Sequence, residues 1–153
     1  MAVSAFTFTD PGYLATRKGT IDLENDAIRA VLVDNAHTPS VVNDDIYSDI
    51  SANECADGDY SSQLITGLTW SEVSSRNFKL DHALINFGDA VTISARYCYF
   101  VRDADSNGTL VAGDLIVGYY DLNDGGSANV SSTSSDFDVD ANASGCFTET
   151  LTP

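Results

Sequence analysis

Residues 90–103, AVTISARYCYFVRD, constrain this chain most. Val91, Ile93, Ala95, Tyr97, Tyr99 and Val101 recur at every second position. An extended strand gathers such a set on one face. DLIVGYYDL, residues 114–122, is its natural antiparallel partner, and Gly118 inside it predicts a bulge or a close backbone approach. AIRAVLVDN, residues 27–35, is rich in Val, Leu and Ile and ends at the turn-forming pair Asp34-Asn35, so it reads as a third strand.

From residue 60 onward the pattern stays β. YSSQLITGLTWSEV is split by Gly67, and RNFKLDHALINFG alternates Phe78 and Leu80 with Lys79 and Asp81. NDGGSANVSSTSS, residues 123–135, is a loop. Phe137 and Val139 then alternate, a turn is expected at Ala143 to Gly145, and a last strand runs through Phe147 and Leu151. Short strands at regular intervals predict a mainly β fold: one antiparallel β-sandwich or jelly-roll-like domain over residues 20–153, with one or two short helices. One helix is expected in FTDPGYLATRKG, where Asp10 can cap, Pro11 suits the first turn and Gly19 follows the last. Residues 1–19 otherwise form an N-terminal arm. NDDIYSDISANE, residues 43–54, predicts a second short helix behind Asn43.

A chain of 153 residues is read as one domain, able to bury about 68–70% of its unfolded surface. Seven Lys and Arg face 23 Asp and Glu, a net charge of −16. Such a surface repels phosphate and anionic lipid, which argues against nucleic acid and membranes as partners; it favours solubility, salt tolerance or a cationic partner. No apolar run approaches the ~18 residues of a membrane helix, and MAVSAFTFTDPGY does not read as a signal peptide. Cys55, Cys98 and Cys146 are widely spaced and form no CxxC. They are expected to be buried thiols of a protein made in a reducing cytoplasm, or to include one bridge between Cys98 and Cys146.

Enzyme chemistry is poorly supplied. His37 lies in a loop and His82 beside a strand, and the sequence holds no GxSxG elbow, HExxH pair or phosphate-binding glycine loop. The chain is therefore expected not to be an enzyme and to require no cofactor. One stretch could hold a metal. In DADSNGTLVAGD, Asp103, Asp105 and Asn107 take the first three ligand slots of a calcium loop, and Gly108 gives the sharp turn. Thr109 would offer a carbonyl, and Asp114 stands where a bidentate Glu is usual. The flanks are strand-like, so the other reading is a hairpin connection in which Asp, Asn and Gly serve turn geometry. A calcium ion there would be structural.

KGTIDLENDAIRAVLVD, HTPSVVNDDIYSDISANE, AVTISARYCYFVRD, LIVGYYDL and DFDVDANASGCFTE occur in that order. In this the chain resembles, over residues 18–149, a widespread family of small tailed-bacteriophage virion structural proteins. YSDISANE and the ARY strand followed by a GY strand are the most specific pieces. The chain departs from that pattern in its longer 103–114 loop and in Val139, which stands where an aromatic often precedes the final turn. The resemblance implies a virion protein made in the host cytoplasm. Its implied place is the capsid exterior, as a decoration or cement protein on the major capsid protein. Tail, neck or fibre association is the alternative, and a glycan-binding adhesin-like module a third. No catalytic residues carry over.

A decoration protein holds its shell through several subunits around a symmetry axis, so a homo-oligomer, trimer or dimer, is expected. Its inner face should carry scarce cations and apolar residues. Phe6, Phe8, Tyr13, Arg17 and Lys18 are the candidates. Alternating Phe6 and Phe8 could add as a strand to a neighbour's sheet, or pack on their own domain. Deleting residues 1–19 is expected to leave the domain folded and to abolish virion attachment.

Overall fold

A computed structural model describes residues 3–141 and 145–151. The chain is mainly β, its paired strands all antiparallel, with one α-helix. In order come β1 (Thr7–Phe8), α1 (Asp10–Arg17), β2 (Ile28–Val33), β3 (Gln63–Leu64), β4 (Thr69–Ser74), β5 (Asn77–Asp81) and β6 (Ile85–Asn86). Then follow β7 (Ser94–Ala95), β8 (Tyr97–Arg102), β9 (Ile116–Asp121), β10 (Val130–Ser131), β11 (Asp138–Val139) and β12 (Phe147–Thr150). The largest sheet has the order β1-β9-β8-β2-β3; a second has β12-β5-β4, and β10-β7 and β11-β6 form two-stranded ladders. No helix among the described residues is long and apolar enough to cross a membrane.

The alternating run of residues 90–103 does not form a single face. It breaks at Arg96, whose N–H turns to the Val33 carbonyl at 2.8 Å. The Arg96 guanidinium is buried and held by Asp121 at 2.5 Å and the Ala128 carbonyl at 3.2 Å. Before the break, Val91, Ile93 and Ala95 enter the main core; after it, Cys98 and Phe100 do. Tyr99 and Val101 instead join a second core with Val31, Val33, Ile50 and Ile116, and Tyr97 packs on its edge. A one-residue slip exchanges the faces of a strand, and here that slip lets one run serve both cores. The central strands are therefore buried on both faces and read as continuous apolar runs rather than clean alternation.

Gly118 fulfils both expectations made for it. The β8–β9 register shifts between Phe100 and Val101, which marks a bulge in β9. A Cβ on Gly118 would overlap the Thr7 carbonyl oxygen and the Phe6 ring. This close approach is how β1 docks, pairing Thr7 with Tyr119 and Phe8 with Gly118.

Residues 43–54 form two 3₁₀ turns, Tyr47–Asp49 and Ser51–Asn53, where an α-helix is expected. Their N–H groups have other acceptors. Asp45 and Ile46 donate to the Asp49 carboxylate, Tyr47 to the Asp114 carbonyl and Ser48 to the Ala112 carbonyl. An α-helix capped at Asn43 would need the Tyr47 and Ser48 N–H groups for the carbonyls of Asn43 and Asp44. The turns carry Ile50 onto the second core, as the 103–114 loop carries Leu110.

In α1 the cap is Thr9, one residue before Asp10; its hydroxyl accepts the Gly12 N–H at 3.1 Å. Asp10 and Pro11 occupy the first turn, and Gly19 follows the end with φ +71°. Cys55, Cys98 and Cys146 are all free and buried. Burial pushes the Cys55 and Cys146 thiols up to about 11 and raises Cys98 further, so all three stay protonated and unreactive at neutral pH. The turn expected at Ala143 begins outside the described residues, and β12 follows it.

Candidate functional site

Phe6 and Phe8 do not reach outward. Phe6 is only 3% exposed and meets the Phe100 and Tyr120 rings at centroid distances of 4.7 and 5.2 Å. Phe8 packs edge-on against Phe147 at 4.9 Å. The segment expected as a short helix or an arm is thus folded onto its own domain, because Gly118 leaves room for β1 on the edge of the main sheet. Removing residues 1–19 would therefore strip the core.

The other three candidates lie along α1, outside the core. The Tyr13 hydroxyl donates to Glu149 Oε1 at 3.1 Å and Arg17 Nη1 pairs with Glu149 Oε2 at 3.3 Å. The hydrogen bond to that carboxylate raises the Tyr13 pKa above its ordinary value. Lys18, the last residue of the helix end, is exposed.

Beside Arg17 lies a hollow of about 430 Å³, lined by Thr16, Arg17, Trp70, Phe78, Glu149 and Leu151. A second, of about 240 Å³, lies past Trp70 and is lined by Asp22, Leu23 and Glu24 among others. Thr16 and Trp70 wall both. Sequence reasoning finds Arg17 but not Trp70, Phe78, Glu149 or Leu151. The visible signal was an aromatic and an acid on one face of TWSEV. Their meeting with residues 16–17 depends on pairing of β5 with both β4 and β12.

The 103–114 loop joins β8 to β9 as a hairpin connection. Asp103 and Asp114 are buried, and their carboxylates turn to the loop's own backbone. Asp103 accepts from Gly108 N at 2.8 Å and Asn107 N at 3.4 Å; Asp114 accepts from Val111 N at 2.7 Å and Ala104 N at 3.2 Å. The Asn107 side chain accepts the Thr109 N–H at 2.8 Å, and Asp105 is exposed. Among the described residues no three His, Cys, Asp or Glu side chains gather as a metal-holding group. A calcium ion would compete for these oxygens with backbone donors already seated on them.

Both histidines are held within the fold. The His37 Nε2–H donates to Asp44 Oδ2 at 3.0 Å, which also accepts from the Tyr99 hydroxyl at 2.7 Å and Ser40 N at 3.0 Å. The His82 Nδ1–H donates to the Ala83 carbonyl at 2.7 Å, leaving Nε2 to accept the Tyr120 hydroxyl at 2.8 Å. Burial holds the His82 pKa below its ordinary value, so the ring is neutral. Compared with protein-family models, curated proteins and solved structures, the chain matches none of them.

Proposed function

We propose that the chain is a non-catalytic virion structural protein, a decoration or cement protein seated on the outside of a phage capsid. One observation carries the non-catalytic half of this reading. The buried carboxylates Asp44, Asp103 and Asp114 and the imidazoles of His37 and His82 are engaged with the chain's own backbone and hydroxyl groups. Groups so engaged hold loops in place rather than meet a substrate. The virion half draws on the resemblance over residues 18–149, and the net charge of −16 suits a surface kept away from packaged DNA. The scaffold is read as a jelly-roll-like sandwich, since the five-stranded and three-stranded sheets both send residues, Leu32 and Leu80 among them, into the main core.

On this reading α1 and the adjoining β12-β5-β4 face meet the major capsid protein, with Tyr13, Arg17 and Lys18 at the contact. Several copies cluster around a symmetry axis. Quantitative mass spectrometry of purified virions tests the assignment. Hundreds of copies per particle, with cryo-EM density on the shell exterior, are expected; density only in the tail or neck refutes it.

A further inference from the structure

Of the asparagines in this sequence, Asn107 alone precedes a glycine. At such a pair the glycine nitrogen can attack the side-chain amide carbon, because no Cβ crowds the approach. Two things limit that attack in an open chain. The nitrogen must give up its proton, and the amide oxygen must take up negative charge. The 103–114 loop supplies a partner for each.

Asp103 Oδ2 accepts the Gly108 N–H at 2.8 Å, and Oδ1 accepts the Asn107 N–H at 3.4 Å. A general base needs to stand about 2.6–3.2 Å from the atom whose proton it takes. The carboxylate is buried on a fixed backbone: the Asp103 N–H donates to the Ala27 carbonyl at 2.8 Å, and the Asp103 carbonyl accepts from Ser106 N at 3.1 Å. On the electrophile, Asn107 Oδ1 accepts the Thr109 N–H at 2.8 Å. Donors that stabilise an oxyanion stand at about 2.7–3.1 Å. The same bond curls the amide back over Gly108, the one residue between its two ends. The Gly108 N–H lies in its peptide plane and points to Asp103, which leaves the π face of the nitrogen to the amide carbon. Ser106 at φ +52° and Gly108 at φ +86° complete the curl. A Cβ on Gly108 would meet Arg29 Nη1 at 3.8 Å and no closer neighbour among the described residues. Asn107, Gly108 and Thr109 are exposed, so ammonia can leave and water can enter.

We propose that Asn107–Gly108 is a self-modifying site, where the folded loop converts Asn107 to a succinimide and then to aspartate and isoaspartate. The bond from Gly108 N to Asn107 Cγ forms, and the Cγ–Nδ2 bond breaks. The Gly108 proton passes through Asp103 to Nδ2, which leaves as ammonia. Water then opens the ring at either carbonyl, and nothing is oxidised or reduced. The ring form has no Gly108 N–H, so Asp103 Oδ2 loses that donor and is free to take the proton of the attacking water. Each chain reacts once, without turning over a substrate. The loop gains a carboxylate and, as isoaspartate, an extra methylene in its backbone. The site is independent of where in a virion the chain sits.

Peptide mapping by mass spectrometry follows position 107 in the freshly purified full chain. The references are the same chain unfolded in urea and a blocked peptide of residues 103–114. The folded chain should convert at least about tenfold faster than either, a modest share of what a positioned general base supplies. Its rate should stay level between about pH 6 and 8, above the ordinary carboxylate range. Both references should speed up about tenfold per pH unit, because there solvent hydroxide takes the proton. Asp103→Asn should slow the folded chain to the reference rate. The wild-type pH profile reads the base independently, even where that variant loosens the loop. A folded chain no faster than its unfolded form, a folded rate that climbs with hydroxide, or faster conversion in Asp103→Asn, the sign of a bond that shields the nitrogen, overturns the proposal.

Discussion

Replacing Phe6 by Ala tests whether the N-terminal segment is a structural part of the domain. The ring is 3% exposed and lies against Phe8, Phe100 and Tyr120 at centroid distances of 5.2, 4.7 and 5.2 Å. A buried Phe covers about 150–250 Å², and cutting it back to Ala in a core removes about 3–5 kcal/mol. Here the cavity opens beneath a two-residue edge strand that can partly settle into it, so about 3–4 kcal/mol is expected. That is a large share of the roughly 5–15 kcal/mol typical of a domain. With a urea m-value of about 2 kcal/mol/M, the midpoint should fall by about 1.5–2 M with little change in slope. Far-UV circular dichroism and Trp70 emission should move together, since Trp70 and Thr16 of α1 wall the same hollow. A loss under about 0.5 kcal/mol, the usual range for a surface site, would refute the reasoning and restore a detachable arm.

Gly118→Ala places a methyl against the Thr7 carbonyl and the Phe6 ring; a loss of about 1–3 kcal/mol is expected from overpacking, and hydrogen exchange should show β1 opening first. His82 is neutral in the fold and its pKa is lowered by burial, so the unfolded chain takes up the extra proton as pH falls below about 6.5. The stability present above that pH should decline by up to about 1.4 kcal/mol per pH unit below it, and urea midpoints for His82→Asn should lack this slope. Asp114→Ala frees two loop N–H groups from a buried acceptor and should cost about 2–3 kcal/mol. Melting in millimolar calcium and in EDTA should agree within about 1 °C; a rise of several degrees with calcium, about 1 kcal/mol or more of stabilisation, would show the cation displacing those N–H groups.

The central strands were legible because their apolar residues are buried by any pairing that covers both faces. Residues 28–33, 97–102 and 116–121 all stand close to where the sequence put them. The face change at Arg96 was not legible, since it depends on Asp121 and Ala128, distant in sequence. Helix period misled at residues 43–54 because the remote 103–114 loop took the N–H donors of Tyr47 and Ser48. Of the candidate face, Arg17 showed as one of the seven Lys and Arg residues and Tyr13 as an aromatic beside it in sequence. Their partner Glu149 could not be chosen from among 23 acids without the β5–β12 register.

The clasp between α1 and β12 bears on how the chain is made. Tyr13 and Glu149 are 136 positions apart and bonded in the finished fold. At about 5–20 residues per second, Tyr13 is polymerised roughly 7–27 s before its acid partner. Throughout that interval Phe8 and Tyr13 are without Phe147 and Glu149, and β1 is without β9 until late. Contacts this remote close slowly. The nascent chain thus exposes an aromatic-rich front end to the cell's folding machinery until nearly the whole domain has emerged. Slowing translation after residue 121 should lengthen that exposure, and with it the yield lost to aggregation.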